Sequence, residues 1–242
     1  MRNFPTNSIN KFHIFKVKYI LTSIITLLFS MNSITSQVVT IKDGNATGFD
    51  LPMDPNYWNT ISQQLYSASD MGGSCTITSI WFEWNGNSAQ NYPIELYLGN
   101  TVKTSFLNNN DWVPEPELTL VFAGVFSVDR APGFYEIMLQ TPFNYVAGNS
   151  LVVGFIEQDP GYESSSDDFY SISSPNYQSL YQKGNGVQNF NAPPTADYNQ
   201  KYIPSLQITK SSNPNISTNA SFSTFSSCLG SSGTSQSFTV GG

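Results

Sequence analysis

The amino-acid sequence predicts an all-β protein built as a two-sheet antiparallel sandwich. Apolar residues alternate with polar ones in several short runs; in the clearest, Ile80, Phe82 and Trp84 alternate with Trp81 and Glu83. This period of two places one set of side chains on a buried face. Clusters of Gly, Asn and Pro separate the runs, and no segment has the periodicity of a convincing amphipathic helix. Many short strands between such turns are typical of a sandwich.

The strand-like runs follow one another along residues 37–210, a length sufficient for one domain with a substantial core. They cover residues 77–84, 94–98, 118–128, 134–139, 151–156, 169–173 and 203–208. Turn residues lie at 85–87, 108–111, 131–133, 148–149, 159–161 and 184–186. The alternation predicts that these side chains face the inside: Ile80, Phe82, Trp84, Ile94, Leu96, Leu98, Ile137, Leu139, Val153 and Phe155.

The first 36 residues are predicted to be a secretory signal peptide. A basic region containing Arg2 and Lys18 precedes an uncharged run, residues 19–31, that is too short to span a bilayer. Small and polar residues then lead to a predicted cleavage before Gln37. We therefore expect a secreted protein, extracellular or at the cell surface, with no membrane span after cleavage. A retained N-terminal anchor is the alternative.

The mature chain is predicted to be strongly acidic. Four of the 10 basic residues and the single histidine, His13, lie in the leader, which leaves six basic residues against 17 acidic ones and a net charge of −11. This charge repels phosphate backbones, so nucleic acid is not an expected partner. Without histidine, the mature part cannot form Ser-His-Asp or Cys-His nucleophiles or histidine-ligated metal sites. We do not expect an enzyme.

Residues 211–242 differ in composition from the segment before them. Residues 211–221 are polar and form a predicted linker, and residues 222–225 and 237–240 resemble two strands. Because one hairpin cannot bury a core, we expect the opening of a truncated second β domain, with a disordered tail as the alternative. Cys75 and Cys228 permit one disulfide, but they lie in different predicted units and are not expected to pair.

Several segments resemble a known family in their order and spacing. They are QQLYSASDM, TITSIWF, IELYLGNTVKTSF, DWVP, QTPFNY, NSLVVGFIE and KYIPSLQIT. The chain resembles, over roughly residues 39–209, the N-terminal jelly-roll-like β-sandwich module of secreted multidomain Bacteroidetes surface proteins, which commonly use type IX secretion. The resemblance implies a jelly-roll-like sandwich, and it implies that residues 211–242 open an Ig-like repeat. It carries no catalytic residues, and the sequence departs from the pattern at residues 157–168.

Acidic residues concentrate in residues 157–168, and two interpretations compete. The first is a solvated loop that aids solubility; the second is a pair of carboxylates acting as a glycosidase, which remains a remote alternative. A possible structural calcium is a third role for such oxygens, because calcium takes six to eight hard oxygen ligands, and jelly-roll modules often carry such an ion. No EF-hand spacing supports it. The candidate calcium ligands are Asp43, Asn45, Asp159, Asp167 and Asp168.

Aromatic residues outside the predicted core give the main functional signal. Flat rings can stack on sugar faces while neighbouring polar groups bind hydroxyls. The alternative is that the rings cover the edges of the sandwich or pack on neighbouring domains. Trp58 and Trp81 lead because indole has the largest face. The candidate ligand-binding residues are Tyr57, Trp58, Trp81, Tyr97, Tyr162 and Tyr170.

We therefore expect a non-catalytic extracellular binding or adhesion module, carbohydrate-binding above all, within a larger secreted or surface protein. Its expected partners are glycans or surface proteins, together with downstream domains of the same polypeptide. The alternative is an N-terminal accessory domain of a secreted hydrolase whose catalytic unit lies beyond Gly242.

Overall fold

The structure, a computed structural model, describes residues 36–55, 57, 59–86, 88–158, 167–184, 188–212, 217–218 and 240–241. The chain divides into two units, residues 35–213 and a second unit of residues 1–34 and 214–242. In the second unit, two short antiparallel strands are described, β13 (Ser217–Thr218) and β14 (Val240–Gly241). The predicted signal peptide and the strand predicted at 222–225 lie outside the described residues.

The described residues of this first unit are nearly all β, and among them are a one-turn helix, Ala68–Met71, and a 3-10 turn, Glu115–Glu117. The strands are β1 (Ser36–Lys42), β2 (Thr60–Tyr66), β3 (Cys75–Trp84), β4 (Gln90–Thr101), β5 (Thr119–Val128), β6 (Gly133–Tyr145), β7 (Ser150–Glu157), β8 (Ser171–Ser173), β9 (Ser179–Lys183), β10 (Tyr198–Gln200), β11 (Tyr202–Pro204) and β12 (Leu206–Ser212).

These strands form two packed antiparallel sheets, so the predicted all-β sandwich is confirmed. One sheet has four strands in the order β1-β12-β3-β6, and the other has six in the order β10-β9-β2-β7-β4-β5. A small two-stranded sheet pairs β11 with β8. Each pairing in the two large sheets is antiparallel.

The core between the two sheets is the one that the alternating pattern predicts. Ile80, Phe82 and Trp84 of β3 are fully buried, and every other side chain predicted to face inward is buried as well. Phe82 bridges the sheets, because its ring lies edge-on to Phe155 of β7 at 5.7 Å between centroids. The register of β3 is therefore as predicted, with Trp81 on the opposite face.

The six-stranded sheet is also buried on its outer face, which the sequence pattern does not predict. A second apolar cluster there is built from residues of β2, β7 and β9 and from two long loops. Its members are Ile61, Leu65, Phe106, Trp112, Val113, Val152, Ile156, Leu180, Phe190 and Ala196. Strand β2, with the sequence TISQQLY, is buried at every position because it lies between both clusters.

The acidic segment is less exposed than expected. Glu157 is 1% exposed and Asp167 is 3% exposed, so the prediction of a solvated loop is wrong for these two residues. Glu157 ends a strand that is buried along its whole length, and Ser88 donates a hydrogen bond to Asp167.

Two further expectations concern the cysteines and the membrane. Cys75 is a buried free thiol, and Cys228 lies outside the described residues, so the statement about their pairing stays a prediction. Within the described ranges, no helix has the length and apolar character needed to cross a membrane.

Candidate functional site

An open groove of about 840 Å3 lies beside the point where β3 ends and β6 begins. Three chain segments line it: residues 43–46 after β1, residues 170–173 around β8, and Tyr202 at the start of β11. Residues of the β3 and β6 ends complete the lining. The side chains that matter chemically are those of Asp43, Asn45, Glu83, Tyr170, Ile172 and Tyr202. This site is called the groove below.

Hydrogen bonds hold the backbone of residues 43–46 in place at the side of the groove. The Ala46 N–H donates to the Ser171 carbonyl at 3.0 Å, and the Ser171 N–H donates back to Ala46 at 2.7 Å. The Gly44 N–H donates to the Ser205 hydroxyl at 2.9 Å. A Cβ at Gly44 would lie 2.5 Å from the Ser171 carbonyl oxygen, so this close approach requires glycine. The groove therefore has a fixed backbone wall.

Two carboxylates, those of Asp43 and Glu83, line the groove, and the charge of Asp43 acts on Glu83. Burial raises the pKa of Glu83, the neighbouring charge of Asp43 raises it further, and a hydrogen bond from Ser205 opposes the rise. The Oε2 atom of Glu83 is buried and accepts no hydrogen bond from the described part of the chain. Asp43 is exposed. The groove thus carries negative charge, and two buried side-chain oxygens of its lining, Glu83 Oε2 and the Ser171 hydroxyl, have no hydrogen-bond partner among the described residues.

The aromatic part of the groove comes from Tyr170 and Tyr202, both half-buried. The ring of Tyr202 stacks on Phe49 with 3.5 Å between centroids and an interplanar angle of 14°. Phe49 is therefore a support that fixes the orientation of the Tyr202 ring. The Tyr170 N–H donates to the Glu83 carbonyl at 2.8 Å, which ties one aromatic residue to the strand that carries the half-buried acid.

Another charged cluster is centred on Lys183 of β9. Its ammonium lies 3.0 Å from Asp54, 3.6 Å from Asp50, and 4.2 Å from the ring centroid of Tyr57. Burial lowers the pKa of Lys183, but the hydrogen bond and charge of Asp54 outweigh it and the net shift is upward. Tyr181 also donates to Asp54. Because the charged groups of this cluster are paired with one another, we interpret it as a structural ion-pair network and not as a binding site.

The structure brings together three of the residues predicted from the sequence to form sites. Asp43 and Asn45, predicted as calcium ligands, and Tyr170, predicted as a ligand-binding ring, all line the groove. Asp167 and Asp168 lie elsewhere: Gly48 donates a backbone hydrogen bond to the Asp168 carboxylate.

The described residues contain no group of three or more acidic, histidine or cysteine side chains arranged to hold a metal ion. Asp159 lies outside the described residues. Calcium binding therefore stays a prediction.

The other predicted aromatic residues are placed apart from the groove. Trp81 is half-buried, and its indole N–H contacts the hydroxyls of Ser79 and Thr209 at 3.2 and 3.1 Å. Tyr57 is exposed but lies against Lys183. Trp58 and Tyr162 lie outside the described residues.

Tyr97 does not present the free ring that its strand pattern suggests. Its ring packs edge-on against Phe190 at 5.2 Å, and it is part of the outer-face cluster of the six-stranded sheet. Its hydroxyl donates to Glu95 at 2.7 Å. Tyr97 points away from the core between the sheets, as its strand pattern predicts, but it is half-buried because Phe190 packs against it.

Two groove residues, Glu83 and Tyr202, were missed as site residues. Glu83 lies between the buried Phe82 and Trp84, so the alternating pattern predicts only that its side chain points away from the core. Tyr202 alternates with the buried Ile203, and this signal could have added it to the exposed aromatic candidates. No sequence signal places these two residues at the same groove, because Tyr202 reaches it through the β8–β11 pairing.

Comparison with models of known protein families finds none that matches this chain, and comparison with curated proteins finds no match either.

Proposed function

We propose that this protein is a non-catalytic, secreted binding module that takes carbohydrate into the groove. The observation that carries the proposal is the meeting of two tyrosine rings with the polar side chains of Asp43, Asn45 and Glu83 in one open cavity. Sugars combine apolar ring faces with many hydroxyls, and an aromatic ring with nearby oxygen acceptors is complementary to both.

The size and preorganisation of the groove support a small-molecule ligand. Its volume of about 840 Å3 falls in the range of roughly 300–1,000 Å3 that is usual for such pockets. Phe49 holds the Tyr202 ring in place, and the Gly44 backbone is fixed by Ser205. A site whose groups are already ordered loses less conformational entropy on binding.

A role without catalysis is proposed because the residues favour binding over turnover. The sequence contains one histidine, His13, within the predicted leader. The groove does hold two carboxylates, and a glycosidase requires two at a set separation across the sugar. Asp43 is exposed to water, and no hydrogen bond or ion pair from the described residues holds its carboxylate at such a separation. Hydrolysis of a bound sugar by this pair would therefore contradict the proposal.

The cellular setting is proposed from the sequence. The basic and apolar leader, the acidic composition and the resemblance to secreted Bacteroidetes surface modules support export and attachment to further domains. Glycans, or glycosylated surface proteins, are the proposed partners.

The proposal is tested by screening the full chain on a glycan array and measuring the best ligand by calorimetry. We expect Tyr202→Ala and Tyr170→Ala each to weaken binding by on the order of 1–3 kcal/mol, about tenfold or more, because each loses a stacking face. Tyr198→Ala is the matched control: Tyr198 is 52% exposed and does not line the groove. Its affinity should equal that of the wild type.

Three results would contradict the proposal. They are the absence of any glycan binding, equal losses in Tyr198→Ala and Tyr202→Ala with unchanged melting temperatures, and release of reducing sugar that Glu83→Gln abolishes. The last would show an enzyme in place of a binding module.

A further inference from the structure

The charge of the groove is one-sided. Asp43 and Glu83 contribute two carboxylates, and none of the lining residues is Lys or Arg. Glu83 is half-buried, so fewer water molecules screen its charge than in bulk solvent. An anionic sugar entering the groove would meet like charge, and a cationic one would meet opposite charge.

The nearest basic residues in sequence are directed to other partners. Lys42 precedes Asp43, but its ammonium lies 2.7 Å from the carboxylate of Asp70. Lys201 precedes Tyr202, but its ammonium lies over the ring of Tyr177 at 5.0 Å from the centroid. The turn before the lining residue Pro132 carries Arg130 together with Asp129, so it adds no net charge. These basic residues therefore do not neutralise the negative charge of the groove.

One atom in the groove specifically requires a hydrogen-bond donor. Glu83 Oε2 is buried and has no donor among the described residues, and an unsatisfied buried acceptor is costly. An ammonium group would supply a charge-assisted hydrogen bond to it, which is stronger than one from a neutral hydroxyl. The rings of Tyr170 and Tyr202 also favour a cation, because the face of an aromatic ring is negative.

We propose that the groove selects sugars with a free, protonated amine, namely amino-sugar units that are not acetylated, over neutral and acidic sugars. The amine lies at Glu83 and Asp43, and the sugar ring packs on Tyr170 and Tyr202. This inference rests on the proposed carbohydrate function and adds the class of sugar. It also predicts that uronic-acid polymers are excluded.

The test compares four oligosaccharides of equal length with the full chain by calorimetry: β-1,4-linked glucosamine, its N-acetylated form, β-1,4-linked glucose and a galacturonate oligomer. Measurements are made in buffer of about 0.15 M salt, where long-range attraction between exposed charges is screened. We expect the glucosamine oligomer to bind at least tenfold more tightly than the acetylated and glucose oligomers, and the galacturonate oligomer not to bind.

Variants identify the source of the preference. Glu83→Gln keeps the side-chain shape and should remove most of the tenfold preference, because the affinity for the glucosamine oligomer falls more than the affinity for the glucose oligomer. Asp43→Asn, at an exposed position, should reduce the preference severalfold. It is the variant to compare with the wild type if Glu83→Gln lowers the melting temperature. Glu117→Gln is the matched control, since Glu117 is an exposed acid outside the lining.

The outcomes separate the two proposals. Equal affinity for the free-amine, acetylated and glucose oligomers overturns the amine selectivity and leaves the carbohydrate function standing. A preference that falls equally in Glu117→Gln and Glu83→Gln shows general charge attraction and also overturns it. Binding of none of the four oligomers, together with a negative glycan array, overturns both.

Discussion

The two faces of the six-stranded sheet are buried by different kinds of structure. The inner face packs on the other sheet, through alternating apolar residues such as Phe82 and Phe155. The outer face is covered by two loops that carry Phe106, Trp112 and Phe190. The inner contact joins regular strands, whereas the outer contact joins a regular sheet to irregular chain.

The loops that cover the outer face are held by polar side chains. The carboxamide of Gln63, in β2, donates to the Val113 carbonyl at 2.9 Å and accepts from the Val113 N–H at 2.7 Å, as a neighbouring strand would. Asn109 donates to the Ala196 carbonyl at 2.8 Å and joins the two loops. A face covered by loops thus needs buried amides to satisfy the backbone that loops leave unpaired.

The largest effect is expected at the inner face. Phe82→Ala should lower the free energy of unfolding by about 4 kcal/mol, because it removes a fully buried ring between the two sheets and leaves a cavity. Urea denaturation followed by tryptophan fluorescence measures the change. A loss below about 1 kcal/mol would show that the inner face does not depend on this contact.

A pH-dependent effect of on the order of 3 kcal/mol is expected at the rim of the inner core. Asp168 precedes Phe169, whose ring packs on Phe82 and Trp84. Burial raises the pKa of Asp168 from 3.8 to about 6, nearby Asp50 and Asp54 add to the rise, and N–H donors oppose it. The folded protein therefore holds this proton more tightly than the unfolded chain.

Stability from the protonated form of Asp168 is present below about pH 4 and is lost as the pH rises to about 6. The difference in unfolding free energy between wild type and Asp168→Asn should accordingly decline over that window, at about 1.4 kcal/mol per pKa unit. Denaturation with a calcium chelator present gives the difference at each pH. A difference that is flat from pH 4 to pH 7 would contradict the raised pKa.

A smaller effect, about 2 kcal/mol, is expected at the outer face. Gln63→Ala leaves the buried N–H and carbonyl of Val113 without their partner, which costs on the order of 1–3 kcal/mol. Because the contact holds a loop, proteolysis within residues 102–118 should also accelerate. Gln207→Ala is the control, since the Gln207 side chain donates to the hydroxyl of the exposed Thr40. Equal stability of the two variants would show that the amide does not hold the loop.

These contrasts explain what the sequence could predict. A strand that is buried on one face alternates apolar and polar residues with a period of two, so β3 and its core partners were predicted correctly. Strand β2 was missed, because Gln63 and Gln64 are buried while their residue types indicate exposure. Glu157 was assigned to a solvated loop for the same reason. The groove was predicted in part: Tyr170, Asp43 and Asn45 were candidates, but the β8–β11 contact that adds Tyr202 involves residues about 30 positions apart.

The most direct test of the central claim is a crystal structure of the protein with the best-binding oligosaccharide. The account predicts a sugar ring packed on Tyr202 or Tyr170, with a hydroxyl or amine within hydrogen-bond distance of Glu83 Oε2. A sugar bound instead against Trp81 or Tyr57, with the groove filled only by water, would contradict it.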